Sequence, residues 1–273
     1  MNKSLFKMIT LIPLLASVFS ATGCVNLDGL EGKELFDKLH ESITPANQAK
    51  LNYDSLFTYY KKTDRDPENK DHIFLFYTGT SFDFSSSIGS VGNGKSPGLL
   101  NREHVWPQSK FRAYGNDDYP DTVVYPGPYS DIYNVRPCRE IVNQNRSNYP
   151  FGEHEGTSEE AHMFDPKYDA DSKWDTSDES YRGDLARILF YVAVRYPLVE
   201  LVDYNTVGGN QMGKLSDLLK WNLQYPPTDK ERLRNEEGYK IQGNKNPFVD
   251  HPEYACRIYK NDSEDTKRVC GGN

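Results

Sequence analysis

Cysteine is scarce in this sequence, with four residues among 273. No two of them are spaced as a CxxC pair, which argues against a structural zinc cage. Beyond Cys24 three remain, Cys138, Cys256 and Cys270, so the chain can form one internal bridge at most, and Cys256 with Cys270 would close the shorter loop. A disulfide framework is therefore excluded, and the fold must depend on its hydrophobic core.

The sequence also lacks an apolar run long enough to span a bilayer, which takes roughly 20 residues. Lys3 and Lys7 precede a shorter apolar run at residues 8–19, and a lipobox-like Cys24 follows. This pattern predicts a lipoprotein signal peptide over residues 1–23, export, and a lipid anchor on Cys24, followed by a tether and short helix over residues 24–50. The alternatives are cleavage without lipid and a buried hydrophobic helix.

Basic residues are fewer than acidic ones, and the formal net charge of the full chain is −8. Removal of the predicted signal peptide, which contains Lys3 and Lys7, would make the net charge −10. Such a balance disfavours tight binding to a polyanion, unless a local basic face or a bound cation bridges the two. Residues 132–152 provide a local basic segment, where three arginines oppose a single glutamate. No helix-turn-helix or zinc finger is present, so base-specific readout is not expected.

The chain length favours a single main domain, assigned to residues 51–273, and hydrophobic periodicity predicts a mixture of helices and strands. Helical spacing occurs at residues 30–39, 56–60, 181–196 and 215–219, and a buried strand is predicted at residues 72–77. Residues 85–98 are rich in serine and glycine and are predicted to form a long loop without an assigned role.

Two segments carry candidate chemistry. Residues 100–109 place Arg102, Glu103 and His104 in succession: a cation, a hard oxygen ligand and a titratable base. Side chains alternate along a strand, so Glu103 and His104 would share a site only if the backbone bends there. On its own, such a pair is more typical of surface or structural residues.

The second segment, residues 131–148, is dense in asparagine and arginine. Amide oxygens are hard ligands for Mg²⁺ or Ca²⁺, and arginine fits phosphate oxygens through paired hydrogen bonds. The alternative is a turn-rich loop in which asparagines satisfy the backbone.

Together these segments resemble the bacterial endonuclease I family. The resemblance rests on five blocks in family order: residues 101–107 (NREHVWP), 131–137 (DIYNVRP), 142–148 (VN, then RSN), 182–187 (RGDLAR) and 242–252 (QGNKNPFVDHP). It implies an α+β fold with a His-Me finger, or ββα-metal, site among surrounding helices. The segment around His104 would supply the β-hairpin, and the segment with Asn143 the helix.

The resemblance further implies that His104 is the general base and that Glu103 and Asn143 hold one divalent cation, with Mg²⁺ expected and Ca²⁺ or Mn²⁺ as alternatives. A cation over the scissile phosphate is also needed, and Lys110, Arg112, Arg136 and Arg146 remain candidates. Arg146 is preferred, because three residues after Asn143 it would project from the same side of a helix. Arg102 and Arg139 are further candidates for substrate binding, and Asn244 or His251 is expected to support the site.

The predicted function is an exported, metal-dependent and largely sequence-nonspecific endonuclease. It would hydrolyse DNA, and RNA as well since the chemistry touches only phosphate, to 5′-phosphate products, and it is expected to be monomeric. Two alternatives stay open: a catalytically inactive surface lipoprotein that binds nucleic acid or a host partner, and a phosphodiesterase for small molecules.

Overall fold

The structure is a computed structural model that describes residues 27–45, 49, 51–84, 100–111, 127–153, 161–162, 165–166, 173–176, 178–204 and 208–272. Cys24, the loop at residues 85–98 and Arg112 lie outside these residues.

Helices form most of the regular structure. They are α1 (Gly32–Ile43), α2 (Leu56–Thr63), α3 (Glu140–Arg146), α4 (Arg182–Arg195), α5 (Leu215–Gln224), α6 (Asp229–Gln242), α7 (Pro247–Asp250), α8 (Tyr254–Tyr259) and α9 (Glu264–Cys270). The four helices predicted from periodicity are confirmed as α1, α2, α4 and α5. None of the helices within the described ranges is long and apolar enough to cross a membrane.

The strands are short and pair two by two. β1 (His72–Phe74), β2 (Ser81–Asp83), β3 (Leu100–His104), β4 (Val135–Arg139), β5 (Ala161–His162) and β6 (Asp165–Pro166) form three antiparallel pairs, and β7 (Glu200–Leu201) lies parallel to β8 (Gln211–Met212). β1 is shorter than predicted because residues 76–78 form a turn, in which the amide of Gly79 donates to the carbonyl of Leu75 at 3.0 Å and Tyr77 has φ 72°. Such a conformation is uncommon for a tyrosine.

α4 is the central helix, since every residue from Leu185 to Arg195 is buried. It contacts α1, α5 and α7, so the apolar faces of these helices close around it. Gly183 permits the approach to the end of α5, because a Cβ there would lie 2.1 Å from the carbonyl oxygen of Tyr225.

α1 belongs to this core, since its buried residues Leu35, Leu39 and Ile43 pack toward α4 and α8. At the other end of the chain, Cys256 and Cys270 form a disulfide between α8 and α9. Cys138 is a free, buried thiol. The pairing is the one that sequence separation favoured.

A hairpin and a helix form the part of the fold that carries the candidate chemistry. β3 pairs antiparallel with β4, His104 lies opposite Val135, and α3 follows β4 directly and contacts both strands. This β-β-α unit is the predicted finger. α2 lies against β4, and the amide of Phe76 donates to the carbonyl of Pro137 at 2.8 Å, which fixes the hairpin to the neighbouring β1 segment.

Candidate active site

A polar cleft of about 510 Å³ opens where β3 meets α3. We call it the His104 cleft. It is lined by Tyr53, Asn101, Arg102, Glu103, His104, Pro107, Gln108, Ser109, Asn143, Arg146, Ser147 and Asn148. Glu103, His104 and Asn143 therefore reach one cavity, as the sequence predicted. Because His104 is the last residue of β3 and the chain bends at Val105 and Trp106, the adjacent Glu103 and His104 can share it.

The ring of His104 has a defined tautomer. Its Nε2 lies 2.9 Å from the carbonyl oxygen of Tyr129, and since a carbonyl can only accept, Nε2 must carry the proton. Nδ1 of the neutral ring is then an unprotonated base, and it has no hydrogen-bond partner in the described part of the chain. Tyr53 stacks on the ring at 5.3 Å between centroids.

Burial also keeps the His104 ring neutral. Desolvation lowers the pKa of His104 to about 4, against the opposing hydrogen bond to Tyr129. The ring is therefore neutral near neutral pH, with Nδ1 unprotonated, as a general base must be before it accepts a proton. The structure thus gives a base with a fixed orientation.

Glu103 is buried, with 1% of its surface exposed, and is held from two sides. The hydroxyl of Tyr77 donates to Oε1 at 2.7 Å, and Nη1 of Arg146 lies 3.4 Å from the same oxygen. Oε2 has no hydrogen-bond partner among the described residues. Burial raises the pKa of Glu103 to about 7, although Arg146 and Tyr77 act to lower it. A bound cation would favour the charged form.

Asn143 lies one turn into α3 and presents its amide toward β3. Its Nδ2 donates to the carbonyl oxygen of Arg102 at 3.3 Å, which leaves Oδ1 as an available hard oxygen. One carboxylate and one amide oxygen suit Mg²⁺, whose remaining ligands are usually water and phosphate. No cluster of three or more His, Cys, Asp or Glu side chains that could hold a metal occurs within the described ranges. The donor set therefore fits a weakly held cation.

Arg146 lines the cleft, but its guanidinium is already engaged by the protein. Nη1 donates to the carbonyl oxygens of His104 at 3.2 Å and Ser147 at 3.1 Å, and Nη2 donates to that of Val105. The side chain is 1% exposed and lies over the ring of Phe151. The predicted role over the scissile phosphate does not fit this position. Arg146 instead joins the end of β3 to α3 and neutralises Glu103.

The other predicted cations are placed unequally. Arg102 lines the cleft, stacked over Tyr53 at 3.7 Å and paired with Asp54 at 2.8 Å. Arg136 does not reach the cleft: it is buried and bonded to Asp184 at 3.0 Å, with Asp64 at 3.6 Å. Two carboxylates already neutralise it, so this position does not favour the predicted substrate binding.

Arg139 and Lys110 are not part of the cleft lining either. Arg139 lies 6.0 Å from the ring centroid of Phe82. Lys110 is 7% exposed, and burial followed by the nearby Arg146 charge lowers its pKa. Neither position supports phosphate binding in this conformation, and Arg112 lies outside the described residues.

Three tyrosines around the site were not predicted. Tyr53, Tyr77 and Tyr129 reach it from segments remote in sequence, and Tyr129 contributes its backbone carbonyl as well as a ring whose centroid lies 6.4 Å from that of His104. A backbone contact leaves no mark on residue type, so no sequence pattern could have indicated it.

The structure also locates Asn244 and His251, the two residues of the 242–252 block that were expected to support the site. Asn244 is buried and donates to the hydroxyl of Tyr191 at 2.9 Å. His251, in contrast, is exposed and lies beside Glu253. Of the two expected supporting residues, only Asn244 lies in the buried interior.

Comparison with known proteins gives concordant similarities. A family model described as Endonuclease I matches residues 31–253. An extracellular ribonuclease of Bacillus amyloliquefaciens is 41% identical over 239 residues, covering 85% of this chain and 75% of the relative. An extracellular ribonuclease of Bacillus subtilis (strain 168) is 39% identical over 240 residues, covering 85% and 76%. An extracellular deoxyribonuclease of Aeromonas hydrophila is 26% identical over 207 residues, covering 69% and 87%. The matched span contains β3, β4 and α3.

Proposed function

This chain belongs to the endonuclease I family, and from that premise we propose that it is an exported, metal-dependent endonuclease that hydrolyses the phosphodiester backbone of nucleic acids. The observation that carries the proposal is the convergence of Glu103, His104 and Asn143 on one cleft of a β-β-α unit. A neutral imidazole can act as the general base, and a carboxylate and an amide oxygen can hold the cation of a metal-assisted hydrolysis.

In this proposal His104 activates the attacking water. Nδ1 takes one proton from water, the oxygen forms a bond to phosphorus, and the bond from phosphorus to the 3′-oxygen breaks. The 3′-oxygen takes a proton from solvent, and the 5′ side keeps the phosphate. Such general-base assistance is worth roughly 10²- to 10⁴-fold in rate. Tyr129 stabilises the ring as its charge develops, because Nε2 keeps its acceptor throughout.

Glu103 and Asn143 would hold one divalent cation, with Mg²⁺ as the first candidate. When bound, such an ion stabilises negative charge on the phosphate and on the leaving oxygen. Tyr77 and Arg146 fix the Glu103 carboxylate, and the Arg102 carbonyl fixes the Asn143 amide. These contacts orient both ligands before the cation arrives.

We propose both RNA and DNA as substrates, with little sequence preference. The two relatives near 40% identity are named ribonucleases, and the relative at 26% is named a deoxyribonuclease. The cleft lining contains several neutral donors beside Arg102, which suits contacts to the backbone that carry no base information.

Export is proposed because these relatives are named extracellular, and the disulfide between Cys256 and Cys270 suits an oxidising compartment. Lipid attachment at Cys24 and a monomeric state belong to the same proposal. The task that fits this location is degradation of environmental nucleic acid, for nutrition or defence. Mass spectrometry of the mature N-terminus tests the anchor: an N-terminus at any residue other than 24, or a Cys24 without lipid, contradicts it.

One digestion experiment separates the proposal from its alternatives. Purified protein is incubated with plasmid DNA, single-stranded DNA and RNA, with Mg²⁺ or with EDTA, and the ends of the products are analysed. We expect the nucleic acids to be cleaved with Mg²⁺ but not with EDTA, and the products to carry 5′-phosphate ends. Intact polymers under every condition would favour an inactive binding lipoprotein, or a phosphodiesterase if a small phosphodiester is hydrolysed instead.

Substitution of the base tests the mechanism itself. His104→Ala should leave the fold and Mg²⁺ affinity nearly unchanged and reduce kcat by at least about 10²-fold. Circular dichroism and Mg²⁺ titration provide the controls. Undiminished turnover in this variant would remove His104 from the mechanism.

A further inference from the structure

Asn134 uses its whole side-chain amide to join two segments next to the His104 cleft. The residue is fully buried, with 0% of its surface exposed. Its Oδ1 accepts from the amide of Trp106 at 2.8 Å, and its Nδ2 lies 3.3 Å from both the carbonyl oxygen of Trp106 and that of Pro128. Its own carbonyl accepts from the amide of Val105 at 3.0 Å.

These bonds lie next to the hydrogen bond between His104 and Tyr129, which orients the His104 ring. Val105 and Trp106 directly follow His104, and Pro128 directly precedes Tyr129, whose carbonyl holds Nε2 of His104. The side-chain amide of Asn134 therefore bonds both to the segment that carries His104 and to the segment that carries Tyr129. Asn134 does not belong to the cleft lining, so its effect on the reaction would pass through His104.

The turn that carries Asn134 is itself held rigidly from behind. Asp131 is fully buried and accepts from the hydroxyls of Tyr191 and Tyr196 at 2.8 Å each, and from Nε2 of Gln242 at 3.1 Å. Its carbonyl accepts from the amide of Asn134 at 3.0 Å. The position of Asn134 is thus fixed by the core, because Tyr191 belongs to α4 and Gln242 to α6.

The His104 ring has to be held in one orientation because imidazole has two nitrogens and either of them can carry the proton. Only the tautomer with a proton on Nε2 leaves Nδ1 free as a base, and the acceptor at Nε2 decides which tautomer is stable. Tyr129 supplies that acceptor from the backbone, 25 residues away in sequence. The distance between the two segments must therefore be fixed by some other group.

We propose that Asn134 is a positioning residue that sets the tautomer and orientation of His104 by holding the Tyr129 carbonyl against Nε2. The inference rests on the proposed role of His104 as the general base. It assigns a mechanistic role to a residue that touches neither the substrate nor the cation.

The test is Asn134→Asp, which keeps the size of the side chain and the acceptor for Trp106. As a carboxylate this side chain cannot donate to the carbonyls of Pro128 and Trp106, and as a neutral acid its single O–H can donate to only one of them. In either state the link between the two segments is broken or weakened. We expect kcat to fall about 10- to 100-fold, while KM and Mg²⁺ affinity stay close to wild type.

Asn246→Asp is the matched control. Asn246 is buried, its Nδ2 donates to the carbonyl of Arg187 at 3.0 Å, and its Oδ1 accepts from the amide of Phe248 at 3.0 Å. The same substitution there removes the same type of bond away from His104. We expect it to lower stability and to leave kcat unchanged.

A double substitution separates positioning from general destabilisation. If Asn134 acts through His104, Asn134→Asp should not reduce further the residual single-turnover rate of the folded His104→Ala variant. Equal fold losses in the two backgrounds would overturn the proposal, as would an unchanged kcat in Asn134→Asp alone. If His104→Ala itself kept full activity, the proposed function would fail, which is a separate outcome.

The tautomer can be read directly from the ¹⁵N chemical shifts of His104. Wild type should show a protonated Nε2 and a bare Nδ1, and Asn134→Asp should show a mixture of tautomers. If Asn134→Asp does not fold, the wild-type spectrum can still contradict the proposal, since a proton on Nδ1 would exclude the tautomer that Asn134 is proposed to set.

Discussion

Replacement of Arg146 by methionine distinguishes a structural arginine from one that contacts substrate. In the structure the Arg146 guanidinium pairs with Glu103 and donates to three backbone carbonyls. Only 1% of the Arg146 side chain is exposed. Removal of one partner from a buried ion pair costs about 3 to 5 kcal/mol, because the other group must either stay charged without compensation or take up a proton. We therefore expect Arg146→Met to lower the free energy of unfolding by about 3 to 5 kcal/mol.

Loss of Arg146 should also weaken the metal site. Arg146 acts to lower the pKa of Glu103, which burial has already raised to about 7. Without the arginine that pKa rises further, the carboxyl is protonated at neutral pH, and Mg²⁺ has one ligand less. Isothermal titration calorimetry should show weaker binding.

Chemical denaturation followed by circular dichroism measures the stability change, and Arg268→Met serves as the control. Arg268 is an arginine whose side chain is 77% exposed and paired on the surface with Asp265, so its loss should change stability by less than about 1 kcal/mol. The reasoning would be refuted if Arg146→Met were as stable as wild type, bound Mg²⁺ normally and yet lost turnover. Arg146 would then act on the substrate.

Two further predictions concern the cation and the disulfide. Asn143→Ala removes one of two proposed ligands, so the Mg²⁺ concentration for half-maximal cleavage should rise at least about tenfold, whereas an unchanged requirement in a Mg²⁺ titration would exclude Asn143 as a ligand. Replacement of Cys256 and Cys270 by serine opens a link across 14 residues, so the free energy of unfolding should fall by about 3 kcal/mol with turnover of the folded enzyme unchanged. A denaturation curve that coincides with that of wild type would contradict the second prediction.

The long helices α4 and α5, which have an apolar face, could be predicted from the sequence, whereas α6, which has no such face, could not. α4 and α5 follow the spacing of their leucines and valines, and both appear where that spacing predicted them. α6 was not predicted, since the residues it buries are Glu231, Arg234, Asn235, Gly238 and Gln242. Its inner face is polar because it bonds to other buried polar groups, which hydrophobic periodicity cannot detect.

The charged residues show a similar limit. The sequence indicated that arginines cluster around the candidate site, but their partners come from distant segments. Arg136 pairs with Asp184, 48 residues further along the chain, and Arg234 bonds to Asp64, 170 residues away. An arginine that is neutralised in the core and one that faces solvent look the same in sequence, because the difference lies in what packs against them.

The residues of the proposed reaction could be predicted from the sequence through its family resemblance: Glu103 and His104 on one strand, and Asn143 on the helix that follows the partner strand. The pairing of β3 with β4 and the immediate start of α3 bring these three side chains to one cleft. The state of those side chains could not be predicted, because it depends on how the chain packs. The tautomer of His104, the ionisation of Glu103 and the engagement of Arg146 depend on burial and on backbone carbonyls, and both arise when segments remote in sequence pack together.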